Sequence, residues 1–121
     1  MTNITEFIAR AKQGSVPFNE TLAMIDANYG FTPTEFRNGE THNPAGTNNG
    51  SCKLFAFAQL HQLDESSTLN LFGDFYYQDV LPNPQGTDHQ NIRNFIQFGW
   101  AGISYQGQPL QPLEKENRNL A

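Results

Sequence analysis

Ser51-Cys52-Lys53-Leu54-Phe55-Ala56-Phe57-Ala58-Gln59-Leu60-His61 is the stretch that decides how this chain folds. Its apolar residues surround most of a helical circumference, so the spacing predicts a helix buried on nearly all sides, with Ser51 as its N-cap. A chain of 121 residues and 13.6 kDa can build one core around such a helix and hardly two. The other segments are therefore read as its covering.

Upstream, Ile4, Phe7, Ile8 and Ala11 follow helical spacing, with Asn3 and Glu6 placed as a cap and Gly14 beyond, predicting a helix from about Asn3 to Lys12. Phe18, Leu22, Ile25 and Tyr29 define a second helical face behind Pro17. Thr32-Pro33-Thr34-Glu35 has the form of a capping box and suggests one further turn, whereas Arg37-Asn38-Gly39-Glu40 also suits a tight hairpin. From Asn38 to Ser51 Asn, Gly and Pro leave no apolar period, and the segment reads as loop.

Downstream, Asp64 opens a pattern carrying Leu69, Phe72, Phe75, Tyr76 and Val80, stopped by Pro82 and Pro84. A second loop, Asn83 to Thr87, leads into a helix over Asp88–Phe98 that ends at Gly99, followed by Trp100 as an anchor. Ile103-Ser104-Tyr105 alternates like a short strand, with the segment around Arg37 or Thr41 as its partner. Residues 114–121 read as a polar tail on a domain spanning residues 1–113. The expected class is mainly α: one compact domain of about five helices with a small β-hairpin or strand pair.

Composition narrows the function. Leu, Ile, Val and Phe make 28 residues against a net charge of −5, enough apolar mass to exclude global disorder. Charged residues are 16%, below the usual ~25%, while Asn and Gln contribute 13 and 10 residues. Polarity is supplied by amides. The acidic balance, with a pI near 5.0, excludes a binder of nucleic-acid backbones. Cys52 alone can form neither an internal disulfide nor a multi-cysteine zinc site, no stretch reaches the length of a membrane span, and Met1–Ala11 lacks a secretory signal.

Two loop-to-helix starts carry the candidate chemistry. Gly46–Lys53 delivers a hydroxyl, a thiol and an ammonium into the first turn of a helix, where free N–H groups and the dipole suit an anion. Its spacing departs from the phosphate-binding loop, with Lys53 three residues after Gly50, so nucleotide hydrolysis is disfavoured. Asn49, Ser51 and Lys53 are its candidate ligand contacts; Cys52 is a candidate nucleophile with His42, His61 or His89 as base, or else a buried filler. Thr87–Arg93 offers Asp88 and His89 as candidate acid–base groups and Asn91 and Arg93 as ligand contacts, or else a capping box of Thr87 with Gln90. Arg37 completes the candidate anion set. No paired histidines stand at ligand spacing, so no metal and no cofactor are expected. His61, on an apolar helix, reads as a hydrogen-bonded core or boundary residue.

The wording of several segments is more specific than their composition. Phe31-Thr32-Pro33-Thr34, Phe36-Arg37-Asn38-Gly39, Asn49-Gly50-Ser51-Cys52-Lys53-Leu54-Phe55-Ala56-Phe57-Ala58, Gln78-Asp79-Val80-Leu81, Gly86-Thr87-Asp88-His89-Gln90-Asn91-Ile92-Arg93-Asn94-Phe95 and Gly99-Trp100 together resemble the HopJ type III effector protein family over about residues 15 to 110. The resemblance implies delivery into a host cell by a bacterial type III secretion system and brings no catalytic residues with it. The capped helix at Asn3 stands where a flexible leader is usual, which keeps residence in the bacterial cytoplasm open. The leading expectation is a non-enzymatic protein that binds a host or bacterial protein. The alternative is a small anionic-ligand-binding or hydrolytic domain in which the two helix starts face one cleft.

Overall fold

The structure, a computed structural model, describes residues 3–113, so the tail expected over residues 114–121 lies outside the described residues. Helix α1, Ile4–Gln13, begins where the Asn3 side chain accepts from the Glu6 amide at 3.1 Å. Helix α2, Phe18–Asn28, starts behind Pro17, and α3, Asn49–Leu60, follows a stretch of strands. Helix α4 is Glu65–Asn70 and α5 is Gln90–Phe98, with a π-helical turn at Phe75–Val80 between them and a 3-10 turn at Gly99–Gly102 after α5.

Helix α3 is central, as its composition requires. Cys52, Leu54, Phe55, Ala56, Phe57 and Ala58 are all buried along it. Phe55 meets Phe72, Phe95 and Trp100 at ring-centroid distances of 5.4, 4.9 and 6.3 Å, and Phe57 meets Phe7 and Tyr29 at 6.1 and 5.9 Å. Each such ring removed from water contributes about 2–3 kcal/mol, which makes the helix the organiser of the core.

The expectation of a mainly α chain is corrected. Five strands form two sheets among the described residues, and the fold is mixed α/β. Strand β1, Tyr29–Phe31, pairs antiparallel with β5, Leu110–Pro112; strands β2, Phe36–Asn38, β3, Thr41–Asn43, and β4, Ile103–Tyr105, form a second sheet in the order β3-β2-β4. Each strand has three residues, so a period of two is a weak signal: Ile103-Ser104-Tyr105 shows it, whereas Thr41-His42-Asn43 has no apolar residue at all. Their identity comes from partners remote in sequence. The expected pairing of Ile103–Tyr105 with the Arg37 segment is present, with Ser104 opposite Arg37. The hairpin expected at Arg37–Glu40 is present, with Gly39 and Glu40 turning the chain from β2 to β3, while Thr32–Glu35 forms no helical turn.

The single helix expected from Asp64 to Val80 is also divided. Gly73 adopts φ +62°, and a Cβ there would stand 2.8 Å from the Val16 carbonyl oxygen, so the chain breaks at a close backbone crossing. Ser51 is not the cap of α3: that helix starts two residues earlier, behind Asn48. Among the described residues no helix is long and apolar enough to cross a membrane.

Candidate functional site

The starts of α3 and α5 border one cavity of about 390 Å³. Gly50 and Ser51 reach it from α3, and His89, Gln90 and Asn91 from α5. Both cap residues are left-handed, Asn48 at φ 52°, ψ 45° and His89 at φ 52°, ψ 50°, and neither side chain caps its helix. That conformation costs of order 1 kcal/mol for a residue with a Cβ, less for Asn than for His. In the first turn of α5 the Ile92 amide donates to the His89 carbonyl at 3.0 Å, and the N–H groups before it, like those at the start of α3, have no intrahelical acceptor.

One wall is aromatic. Phe72 stacks on Phe18 at 5.8 Å and 6°, Phe18 meets Phe75 at 5.2 Å, and Phe75 meets the His89 ring at 5.0 Å. Gly50 permits this approach, because a Cβ there would stand 2.8 Å from the edge of the Phe18 ring. His89 is fixed from the far side: its Nε2 lies 3.0 Å from Asp79 Oδ2 on the π-helical turn and 3.9 Å from Asp88 Oδ2.

Behind the cavity lies a buried amide network. Asn91 Oδ1 accepts from Asn38 Nδ2 at 3.0 Å and from Asn43 Nδ2 at 3.2 Å, and Asn91 Nδ2 donates to Asn43 Oδ1 at 3.1 Å. Asn38 Nδ2 also donates to the Asn91 carbonyl at 2.8 Å, and Asn48 Nδ2 donates to Asn43 Oδ1 at 2.7 Å. The hairpin β2–β3, the α3 cap and the first turn of α5 are thereby tied together. Asn38 Oδ1 is buried without a hydrogen-bond partner among the described residues.

Of the residues singled out from sequence, Ser51, His89 and Asn91 meet at this cavity. The others do not line it. Cys52 is 1% exposed, its thiol 3.7 Å from the Thr34 carbonyl, and burial pushes its pKa up to about 11 despite Lys53 nearby. Tyr105 donates to the Cys52 carbonyl at 2.8 Å and is itself held well above the usual tyrosine range by burial. The thiol is a filler in the protonated form, opposite to what an exposed helix start would do to it. Lys53 turns to Asp26 at 2.9 Å and lies over the Phe31 ring at 5.0 Å. Asn49 is exposed outside the lining, and Arg37 is exposed on β2 opposite His42 and Ser104.

Arg93 is a brace. Its Nε donates to the Asp88 carbonyl at 2.6 Å, Nη1 to the Asn83 carbonyl at 2.7 Å and Nη2 to Asp88 Oδ1 at 2.6 Å. The guanidinium holds the Asp88 carboxyl below the usual range and gathers residues 83–88 around itself. The capping box expected of Thr87 and Gln90 is replaced by a contact in which Gln90 Nε2 donates to the Thr87 carbonyl at 2.9 Å. His61 is the boundary residue its position suggested, with Nε2 2.7 Å from the Tyr29 hydroxyl.

The aromatic wall and Thr41 were not singled out from sequence. Phe18, Phe72 and Phe75 read as core by their spacing, and only the tertiary fold brings their edges to the helix starts. Among the described residues no group of three or more His, Cys, Asp or Glu is placed to hold a metal ion.

Comparison with known proteins places the whole arrangement. The chain is 45% identical to the crystal structure of unknown function protein VPA0580, covering 93% of this chain and 95% of that one with a TM-score of 0.89. No match is found among the curated proteins. The sequence pattern of the HopJ type III effector protein matches residues 4–110, and the chain belongs to that family.

Proposed function

We propose that the chain acts by binding, not by chemistry, and that the cleft between the α3 and α5 starts is its recognition site. One observation carries this reading: two helix starts far apart in sequence line a single cavity with an aromatic wall. Catalysis by Cys52 has little to recommend it, since the thiol is buried, protonated and aimed at a carbonyl. The anion set assembled from Arg37, Lys53 and Arg93 is likewise dispersed, each cation lying outside the cavity.

Amide-resolved NMR with small polar aromatic probes, benzamide and indole, tests the site. Shifts confined to residues 48–51 and 89–92 are expected; shifts scattered over the surface count against it. Delivery by type III secretion is supported by family membership. A reporter fused to residues 1–50 should enter host cells in a secretion-dependent manner, and failure to enter assigns the chain to the bacterial cytoplasm.

A second reading, a host or bacterial protein as partner, is favoured by an apolar hollow of about 190 Å³ between the π-helical turn and α5. Leu81 and Ile96 on its rim are each 48% exposed. A photo-crosslinking residue at Leu81 should trap one discrete protein in cells, with no adduct from Gln78; equal labelling from both positions would remove this surface from consideration.

A further inference from the structure

We infer that the cleft takes an uncharged planar ring whose edge both donates and accepts hydrogen bonds, a ligand of nucleobase or nucleoside type. The inference rests on the cleft being the binding site. Its first ground is charge. Among the described residues the lining contains no Asp, Glu, Lys or Arg, and its one titratable side chain, His89, is engaged by Asp79. Lys53 and Arg93, the cations closest in sequence to the helix starts, are held by Asp26 and Asp88. A charged group entering here would lose water without gaining a counter-ion.

The second ground is the wall. Phe18, Phe75 and His89 run along one side with their rings tilted by 59° and 31° from one to the next, and Phe75 remains 39% exposed. Such a surface favours a flat ring, since stacking of a heterocycle on an aromatic side chain is worth about 1–3 kcal/mol.

The third ground is the mixed polarity of the remaining lining. Gln90 Nε2 gives one proton to the Thr87 carbonyl and Asn48 Nδ2 gives one to Asn43 Oδ1, so each amide keeps a second N–H to donate and a carbonyl oxygen to accept. Thr41 Oγ1 accepts from Asn94 Nδ2 at 2.6 Å and so keeps its own proton to donate. First-turn N–H groups add donors. A ring edge carrying a carbonyl or ring nitrogen beside an amino or imino group matches this mixture. The volume of about 390 Å³ suits a molecule of that size, and the acidic chain repels a phosphate backbone.

The dipoles of the two helices favour an anion, so the comparison that decides is between a nucleoside and its monophosphate. The full-length protein is titrated with adenosine, uridine, adenosine monophosphate and glucose while amide shifts are followed. A nucleoside should saturate shifts at residues 48–51 and 89–92, with the monophosphate and glucose weaker. Phe75→Ala should weaken the nucleoside by about tenfold, roughly 1.4 kcal/mol, and Phe75→Tyr should restore it, with thermal unfolding recorded for both variants. Tighter binding of the monophosphate at the same residues overturns the neutral-ring inference and leaves the cleft as the binding site. Equal binding of glucose, or no binding of either nucleoside while benzamide still maps to the cleft, also overturns it. Shifts outside the cleft for every probe, benzamide included, overturn both readings.

Discussion

At the scale of single residues, Cys52 shows how far tertiary context can reverse a local signal. A thiol in the first turn of a helix is normally acidified by the dipole and by a neighbouring ammonium. Here burial in the core outweighs both and pushes the thiol up to about 11. Alkylating reagents at neutral pH should therefore label Cys52 only after unfolding, as mass spectrometry with and without denaturant would reveal; labelling of the native chain at the rate of a free thiol would contradict this burial. His61 carries a pH dependence of opposite character. Burial lowers its pKa from the ordinary 6.5, and the ring Nε2 shares a hydrogen bond with the Tyr29 hydroxyl at 2.7 Å. The folded chain thus binds this proton less readily than the unfolded chain. The associated stability is complete above about pH 6.5 and is lost as pH falls through the lowered folded value. Denaturant midpoints should decline on the acid side, and His61→Gln should flatten that part of the decline. An unchanged slope in the variant would assign it to other groups.

At the scale of elements, what the sequence allowed one to read followed its periodicity. The helices α1, α2, α3 and α5 carry strong apolar spacing and fall where that spacing puts them, apart from shifted ends. Of the three-residue strands Ile103–Tyr105 alone was read from alternation, and the division at Gly73 depends on backbone from Val16 to Phe18 that no local window contains. The amide excess was visible, but its use was not. Asn38, Asn43, Asn48 and Asn91 come from four separate elements or their caps and meet only in the folded chain. Asn91 is the hub of that network. Asn91→Ala should leave the buried amides of Asn38 and Asn43 short of partners and cost about 2–4 kcal/mol, above the penalty for one ordinary hydrogen bond. Chemical denaturation measures this directly, and a loss below about 0.5 kcal/mol would mean that the network adds little beyond surface polarity.

At the scale of the whole molecule, the same reasoning explains why the site was only half legible. Ser51, His89 and Asn91 could be named because helix starts announce themselves locally, whereas the aromatic wall had no signal distinct from core. Convergence is a property of topology. The sheets enforce it: β5 returns to β1 across most of the chain, and β4 returns to β2, so the C-terminal strands close the layer against which the helices are set. Leu110, opposite Phe31 in β5, is 1% exposed and packs into the common core. With one core shared by helices and both sheets, damage at this edge must be felt throughout, because no subset of elements retains a buried face of its own. Leu110→Ala should cost about 2–4 kcal/mol by lost transfer energy and residual cavity. Helical circular dichroism follows α1 to α5, and fluorescence of the single Trp100 follows the remote Phe55–Phe95 cluster. Both probes should shift together to one lower denaturant midpoint. Separation of the two transitions, with circular dichroism falling before the Trp100 signal moves, would show that helices come apart while the Phe55–Phe95 cluster persists and that the core is not one cooperative unit.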